Sequence, residues 1–196
     1  MKNEYLNIYN NLIKLTRNKL LFEKITNKDS FSHRLMVFLF HFAFFLKIYK
    51  KDNTKKYLQK IYDFNFRQLE LSVREIGYGD STINKKMKQY VNIFYSIIDK
   101  VENWEKLNND QKCKIFSEFI GIDEEAVFLV NYFEKYRIFL KNNNDFSFLK
   151  FLEYIRAFEF FFIFRFINQY WNVQTHLVRL FCLLYNIYRI FRLVRK

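Results

Sequence analysis

Histidine is the first residue type in this chain that could support catalysis or metal binding. His41 lies inside an apolar run, and neither His33 nor His176 is at a spacing that would make it a second metal ligand. A histidine on an apolar helix is more often a neutral core residue with one hydrogen-bond partner than a ligand. We therefore predict that His41 belongs to the core and that the chain has no metal site.

Cysteines and adjacent acidic residues are the other chemically capable groups. Cys113 and Cys182 are far apart and have no second thiol or histidine at ligand spacing, which is typical of reduced, partly buried cysteines in a reducing compartment. Asp123, Glu124 and Glu125 are consecutive, and neighbouring residues on a helix do not face one another. These acids favour a helix start near the positive end of its dipole over acid/base catalysis.

Signatures of catalysis or of cofactor binding are missing from the sequence. It contains no phosphate-binding P-loop, no dinucleotide glycine pattern, no metal-ligand cluster and no nucleophile elbow. We predict no catalytic residues, no cofactor and no enzyme activity, and we expect the function to be one of binding.

A turn between two helical patterns organises the chain. Two of the three glycines, Gly77 and Gly79, lie in it. Glycine reaches positive φ without steric cost, so Gly77 suits the position just past a helix end and Gly79 can tighten the reversal. Asp80, Ser81 and Thr82 are expected to accept hydrogen bonds from the first N–H groups of the next helix. Arg74 and Asp80 are expected to stabilise this corner.

The helix that follows the turn buries one side and carries three lysines. Helical spacing places its apolar residues on one face, and these are Ile83, Met87, Val91, Phe94, Ile98 and Val101. Lys85, Lys86 and Lys88 fall mostly elsewhere. They are either a solvated face or charged contacts for a partner, and we choose them as candidate contact residues.

The residues around this corner resemble the signature of the ubiquinol-cytochrome c chaperone family, over about residues 5 to 105. One block contains Arg34 and His41. The main block contains Phe66, Leu69, Arg74, Glu75, Ile76, Gly77, Gly79, Asp80, Lys85, Met87, Lys88, Phe94 and Tyr95. The resemblance implies a helical assembly factor for the cytochrome bc complex that holds newly made cytochrome b. The candidate signature and partner-binding residues are therefore Arg74, Glu75, Gly77, Gly79, Asp80, Lys85, Lys86, Met87 and Lys88.

Composition favours an all-α fold. The chain has 196 residues, no proline, three glycines and 21% aromatic residues, which leaves few tight strand turns and supplies large apolar areas for helix packing. Helices are expected at about 4–22, 32–49, from the charged linker 52–56 to 76, 82–106, 109–119 and 123–141. The third is expected to bury a stripe formed by Leu58, Tyr62, Phe66, Leu69, Val73 and Ile76. Trp104 is expected to pack beneath the connection after the fourth helix, and the fifth is expected to be capped by Asn108, Asn109 and Asp110 and stopped by Gly121. The second is apolar almost all round but short for a bilayer, so it is predicted to be the central core helix.

A change in composition divides the chain at about residue 144. We predict a compact helical domain over 1–144 and an amphipathic, aromatic-rich helical segment over 145–196, where arginine replaces lysine as the main cation. A polar stripe through this segment favours contact with a membrane interface. Burial in the fold and pairing with a partner are the alternatives left open.

Two functions of different classes fit these features. The first is an assembly chaperone that binds cytochrome b or another bc-complex subunit. The second is a basic peripheral membrane or polyanion-binding protein without a client, because the net charge of +13 attracts anionic lipid or ribosomal RNA. No secretory signal or mitochondrial presequence is expected at the N-terminus. The expected location is cytoplasmic and peripheral to the inner membrane, on the matrix side in an organelle.

Overall fold

The computed structural model describes residues 2–18, 21–22 and 30–142, and in these residues the fold is all α. The predicted fold class is confirmed. Six α-helices occur in this part of the chain: α1 (Lys2–Thr16), α2 (Phe31–Tyr49), α3 (Lys55–Glu75), α4 (Asp80–Glu102), α5 (Asn109–Ile120) and α6 (Ala126–Asn142). Two 3₁₀ turns precede α3 and follow α4, at Asp52–Thr54 and Trp104–Lys106. The predicted segment 145–196, and its boundary with the domain, lie outside the described residues.

Helix α2 is the centre of the bundle. It packs against α1, α4, α5 and α6, and its residues from Val37 to Phe45 are all buried. Ser30 begins the helix by accepting a hydrogen bond from the backbone N–H of His33. Of the described helices, α2 alone has the length and apolarity to cross a membrane, a test that the core helix of a soluble protein also passes. The prediction that this stretch forms the core helix is confirmed.

Aromatic rings fill the space around α2. Phe40 has its ring centroid 4.9 Å from that of Phe116 on α5 and 5.7 Å from that of Phe133 on α6. Two further rings on the same helix contact other elements: Phe42 stacks on Phe94 of α4 with their centroids 5.2 Å apart, and Phe44 meets Trp104 edge-on at 5.2 Å. Such pairs add to the stability that burial alone provides. Many of the phenylalanines in the described part of the chain therefore lie in the core.

The hairpin formed by α3 and α4 packs largely as predicted, with two corrections. In α3, Ile76 was expected in the buried stripe but is 52% exposed, because the helix ends at Glu75 and the turn carries Ile76 away. In α4, Ile97 is fully buried whereas Ile98 is half-buried. The 3-and-4 spacing through Phe94, Ile97 and Val101 defines the buried edge of α4 better than the predicted stripe did.

Helix α5 begins and ends at recognisable signals, whereas α6 begins later than predicted. Asn108 caps α5, as predicted, and exchanges side-chain-to-backbone hydrogen bonds with Gln111. Gly121 ends α5 with φ of 73°, its N–H donating to the carbonyl of Ser117 at 2.9 Å. Helix α6 begins at Ala126, so the acidic residues predicted to start it form the turn before it.

A carboxylate on α6 joins three elements at the end of α4. Glu134 accepts hydrogen bonds from the indole Nε1–H of Trp104 at 2.9 Å and from Nζ of Lys112 at 2.6 Å. Nε of Arg137 donates to its second oxygen at 2.9 Å. Burial opposes the charge of Glu134, but these donors outweigh it and lower the pKa of its carboxyl. Trp104, expected to pack beneath the connection after α4, is fully buried, with its ring against Phe44 and Phe116.

Candidate functional site

The backbone of the corner between α3 and α4 depends on one glycine. Gly77 has φ of 97°, in the region that side chains disfavour, and its N–H donates to the carbonyl of Arg74 at 2.9 Å. Gly79 precedes α4 as its N-cap with φ of −70° and ψ of 156°, an extended conformation open to any residue. The predicted need for glycine is therefore confirmed at Gly77, and Gly79 has no such need.

The acidic and hydroxyl residues after the turn do not cap α4 as predicted. The N-cap is Gly79, and no side-chain hydrogen bond caps the helix. Asp80 lies inside the first turn, and its carboxylate accepts from a guanidinium nitrogen of Arg74. Arg74 also donates to Glu70 through Nη2 at 2.8 Å, and hydrogen bonds to Glu70 and then Asp80 raise the pKa of the guanidinium. The expected interaction between Arg74 and Asp80 across the corner is therefore present. It engages the carboxylate of Asp80, which was expected to cap α4.

The three candidate lysines differ in their surroundings. Lys86 is half-buried, with its Nζ 4.5 Å from the centroid of the Tyr78 ring, at a distance that allows cation–π attraction. Lys85 and Lys88 are exposed, and neither has an acidic partner among the described residues. Glu75 is also exposed, and Met87 is half-buried. Lys85 and Lys88 are therefore available to a partner, whereas Lys86 contacts Tyr78 within the corner.

Large apolar side chains are also exposed near the corner. Leu71 is 45% exposed and Tyr78 is 41% exposed, in addition to Ile76. We name the corner surface after its five exposed residues, Leu71, Ile76, Tyr78, Lys85 and Lys88. Apolar side chains flanked by cations can bind a segment that combines apolar and acidic residues. Sequence reasoning missed the apolar members because it assigned Ile76 to the core and did not consider Leu71.

A pocket lies where α1, α2 and α3 meet, and sequence analysis did not anticipate it. This α1–α2–α3 pocket has a volume of about 490 Å³. Its lining is Tyr9, Asn10, Ile13, Lys14, Thr16, Arg17, Phe31, Arg34, Leu35, Phe38, Leu69 and Ser72. Arg34 and Leu69 belong to the blocks that carry the family resemblance. Arg34 donates through Nη1 to the carbonyl of Thr16 at 2.9 Å and lies over the ring of Phe22.

His41 is a core residue, as predicted, although it has two hydrogen-bond partners where one was expected. Its ring is fully buried, with Nδ1 2.7 Å from the carbonyl oxygen of Val37 and Nε2 2.8 Å from the hydroxyl of Tyr132. Burial lowers its pKa to about 3, so the ring is neutral. No group of three metal-ligating side chains occurs in the described part of the chain. Cys113 is a free, half-buried thiol, and Cys182 lies outside the described residues.

The comparison with protein families matches this same region. The family model for the ubiquinol-cytochrome C chaperone matches residues 23–104, which contain α2, α3, α4 and the corner between the last two. Neither the curated proteins nor the solved structures gave a match to the chain. The chain is therefore similar to the ubiquinol-cytochrome C chaperone family over residues 23–104, which make up somewhat less than half of its length.

Proposed function

We propose that this protein is an assembly chaperone of the cytochrome bc complex that binds newly made cytochrome b through its corner surface. The match of residues 23–104 to the family supports a chaperone role in general. The observation that carries the proposal further is the exposure of the signature residues at the corner: Arg74, Glu75, Gly77, Asp80, Lys85 and Lys88 are at the surface, so packing of the core does not require them.

Binding at the corner surface would combine two physical effects. Leu71, Ile76 and Tyr78 would cover apolar side chains of a membrane segment that has not yet inserted, and the hydrophobic effect is non-directional, so varied segments can be held. Lys85 and Lys88 would attract acidic loops of the client. The function is one of binding and release, without a chemical step. In this proposal the protein would act at the inner membrane, on the side where cytochrome b is made.

Affinity purification of the tagged full-length protein from its own membranes tests the proposal. We expect cytochrome b to co-purify without the mature complex. Replacing Leu71 and Ile76 with serine, or Lys85 and Lys88 with serine, should reduce the recovery of cytochrome b about tenfold, which corresponds to the loss of about 1.4 kcal/mol. The helical circular dichroism should not change, because these side chains are exposed.

A matched control separates the corner from general charge effects. Lys56 and Lys60 are exposed on the first turns of α3, at the opposite end from the corner. Replacing both with serine removes the same charge as the lysine variant and should leave recovery unchanged. Recovery of cytochrome b that is equal in all variants would exclude the corner surface, and an intact bc complex after deletion of the gene would exclude the chaperone role.

The second candidate is a basic protein that binds a membrane surface or another polyanion and has no client. The net charge of +13 favours it. The same purification distinguishes the two, because recovery of lipid or RNA without any bc-complex subunit would favour the second candidate.

A further inference from the structure

The α1–α2–α3 pocket combines an apolar floor with a cationic rim. The floor consists of the side chains of Tyr9, Ile13, Phe31, Leu35, Phe38 and Leu69. Lys14 near the end of α1, Arg17 just after that helix and Arg34 on α2 bring three positive charges to the lining, and none of the described residues in the lining is acidic. Its volume of about 490 Å³ is within the usual range of small-molecule sites. The lining therefore complements a ligand that is anionic at one end and apolar at the other.

Two of the rim cations, Lys14 and Arg17, are available to such a ligand. Lys14 and Arg17 are exposed, and neither has an acidic partner among the described residues. Arg34 is held in place by the carbonyl of Thr16 and the ring of Phe22. Phe31, the first residue of α2, also lines the pocket, so the positive end of that helix is close, and its first turn carries no acid. Every described charge in the lining thus favours an anion.

Exposure of Phe31 indicates where the anion comes from. Its ring lines the pocket yet is 41% exposed, so an aromatic side chain lies beside cations at the surface. Aromatic rings and cations together are typical of contacts with the headgroup region of a bilayer. A free phosphate would leave the apolar floor uncovered, whereas the upper part of an acyl chain would cover it.

We propose that the α1–α2–α3 pocket binds an anionic phospholipid, with the headgroup phosphate at Lys14 and Arg17 and the start of an acyl chain over the apolar floor. This contact would hold the protein at the membrane surface. The inference does not depend on the identity of the client, since it uses neither the corner surface nor the family match.

Titration of the full-length protein with short-chain phosphatidylglycerol, below its micelle concentration, tests the pocket by calorimetry. We expect saturable binding. Replacing Lys14 and Arg17 with serine should weaken it about tenfold or more, and Ser72→Trp should abolish it by filling the cavity. The Lys56→Ser, Lys60→Ser variant loses the same charge away from the pocket and should bind as the wild type does.

Three results would overturn the lipid proposal. One is equal binding by the Ser72→Trp variant and the wild type. Another is inorganic phosphate binding as tightly as phosphatidylglycerol, which would remove the acyl chain from the site. The third is an equal loss in the Lys56→Ser, Lys60→Ser variant, which would show general charge attraction. Purification of cytochrome b with the corner variants is a separate readout, so the failure of either proposal can be recognised without the other.

Discussion

The ring of His41 has a defined protonation state because of its two partners. A carbonyl oxygen can only accept, so Nδ1 carries the proton and donates to Val37. Nε2 must then accept from the hydroxyl of Tyr132. A second proton would have to bind Nε2 in a fully buried site. Nε2 could then no longer accept the hydrogen bond from the hydroxyl of Tyr132. The neutral ring therefore links α2 to α6.

The burial of His41 makes the stability of the protein depend on pH. The pKa of the ring falls from 6.5 to about 3 on folding. Below pH 6.5 the unfolded chain binds a proton that the folded chain excludes, so the free energy of unfolding decreases as the pH falls, by up to about 1.4 kcal/mol per pH unit from this group. Denaturant unfolding between pH 6.5 and 5 measures the slope. His41→Gln keeps an N–H and an oxygen and should reduce the slope by most of that amount; an unchanged slope would mean that the ring titrates normally.

Single residues show what the sequence could and could not predict. The apolar run around His41 was enough to predict a neutral core histidine. The contact of Lys86 with the ring of Tyr78 was not predictable, because it depends on how the turn at Gly77 directs the chain. The exposure of Ile76 has the same origin, because a periodic pattern does not define the last residue of a helix to a precision of one residue.

At the scale of elements, the corner between α3 and α4 depends on its two glycines unequally. Serine at Gly77 would have to adopt a positive φ and should lower the free energy of unfolding by about 1–2 kcal/mol. Serine at Gly79 fits the observed backbone and adds a capping oxygen, so it should be neutral or stabilise by about 0.5 kcal/mol. A Cβ atom meets nothing within 4 Å at either position, so backbone strain alone separates the two. Equal effects in thermal or denaturant unfolding would contradict this view.

The bounds of elements were predictable where a local signal exists. Asn108 and Gly121 delimit α5 as expected, because capping and left-handed termination depend on neighbouring residues alone. The predicted capping of α4 by Asp80 was wrong, because Asp80 pairs with Arg74 from the preceding helix. The bonds of Glu134 and the lining of the α1–α2–α3 pocket draw on separate elements, and a sequence without its fold cannot bring those residues together.

At the scale of the whole molecule, the region that matches the family needs helices outside the match to cover its core. Residues 23–104 end at Trp104, but α2 within that region is covered by α5 and α6, which lie beyond the match. Phe133 on α6 makes ring contacts with Phe40, His41, Phe44, Phe116, Tyr132 and Tyr136. The matched region and the two last helices should therefore unfold together.

Truncation of Phe133 tests this cooperativity. Phe133→Ala should lower the free energy of unfolding by about 3–5 kcal/mol, because it opens a cavity among fully buried rings. Ile138→Ala on the same helix is the matched control and should cost less than about 1 kcal/mol, since Ile138 is 49% exposed. Hydrogen exchange should show loss of protection in α2 as well as α6. Loss confined to α6 would mean that the matched region is stable by itself.

The surroundings of Trp104 give the protein an internal optical probe. Its indole is fully buried, edge-on to Phe44, with a carboxylate of Glu134 at its N–H and the ammonium of Lys112 over its ring at 5.3 Å. Emission from such an indole is shifted to short wavelength and is shielded from aqueous quenchers. Trp171 is the second tryptophan of the chain, so Trp171→Phe leaves Trp104 as the sole emitter. The emission wavelength of Trp104 then reports whether α2, α5 and α6 remain packed together when a client or a membrane is bound.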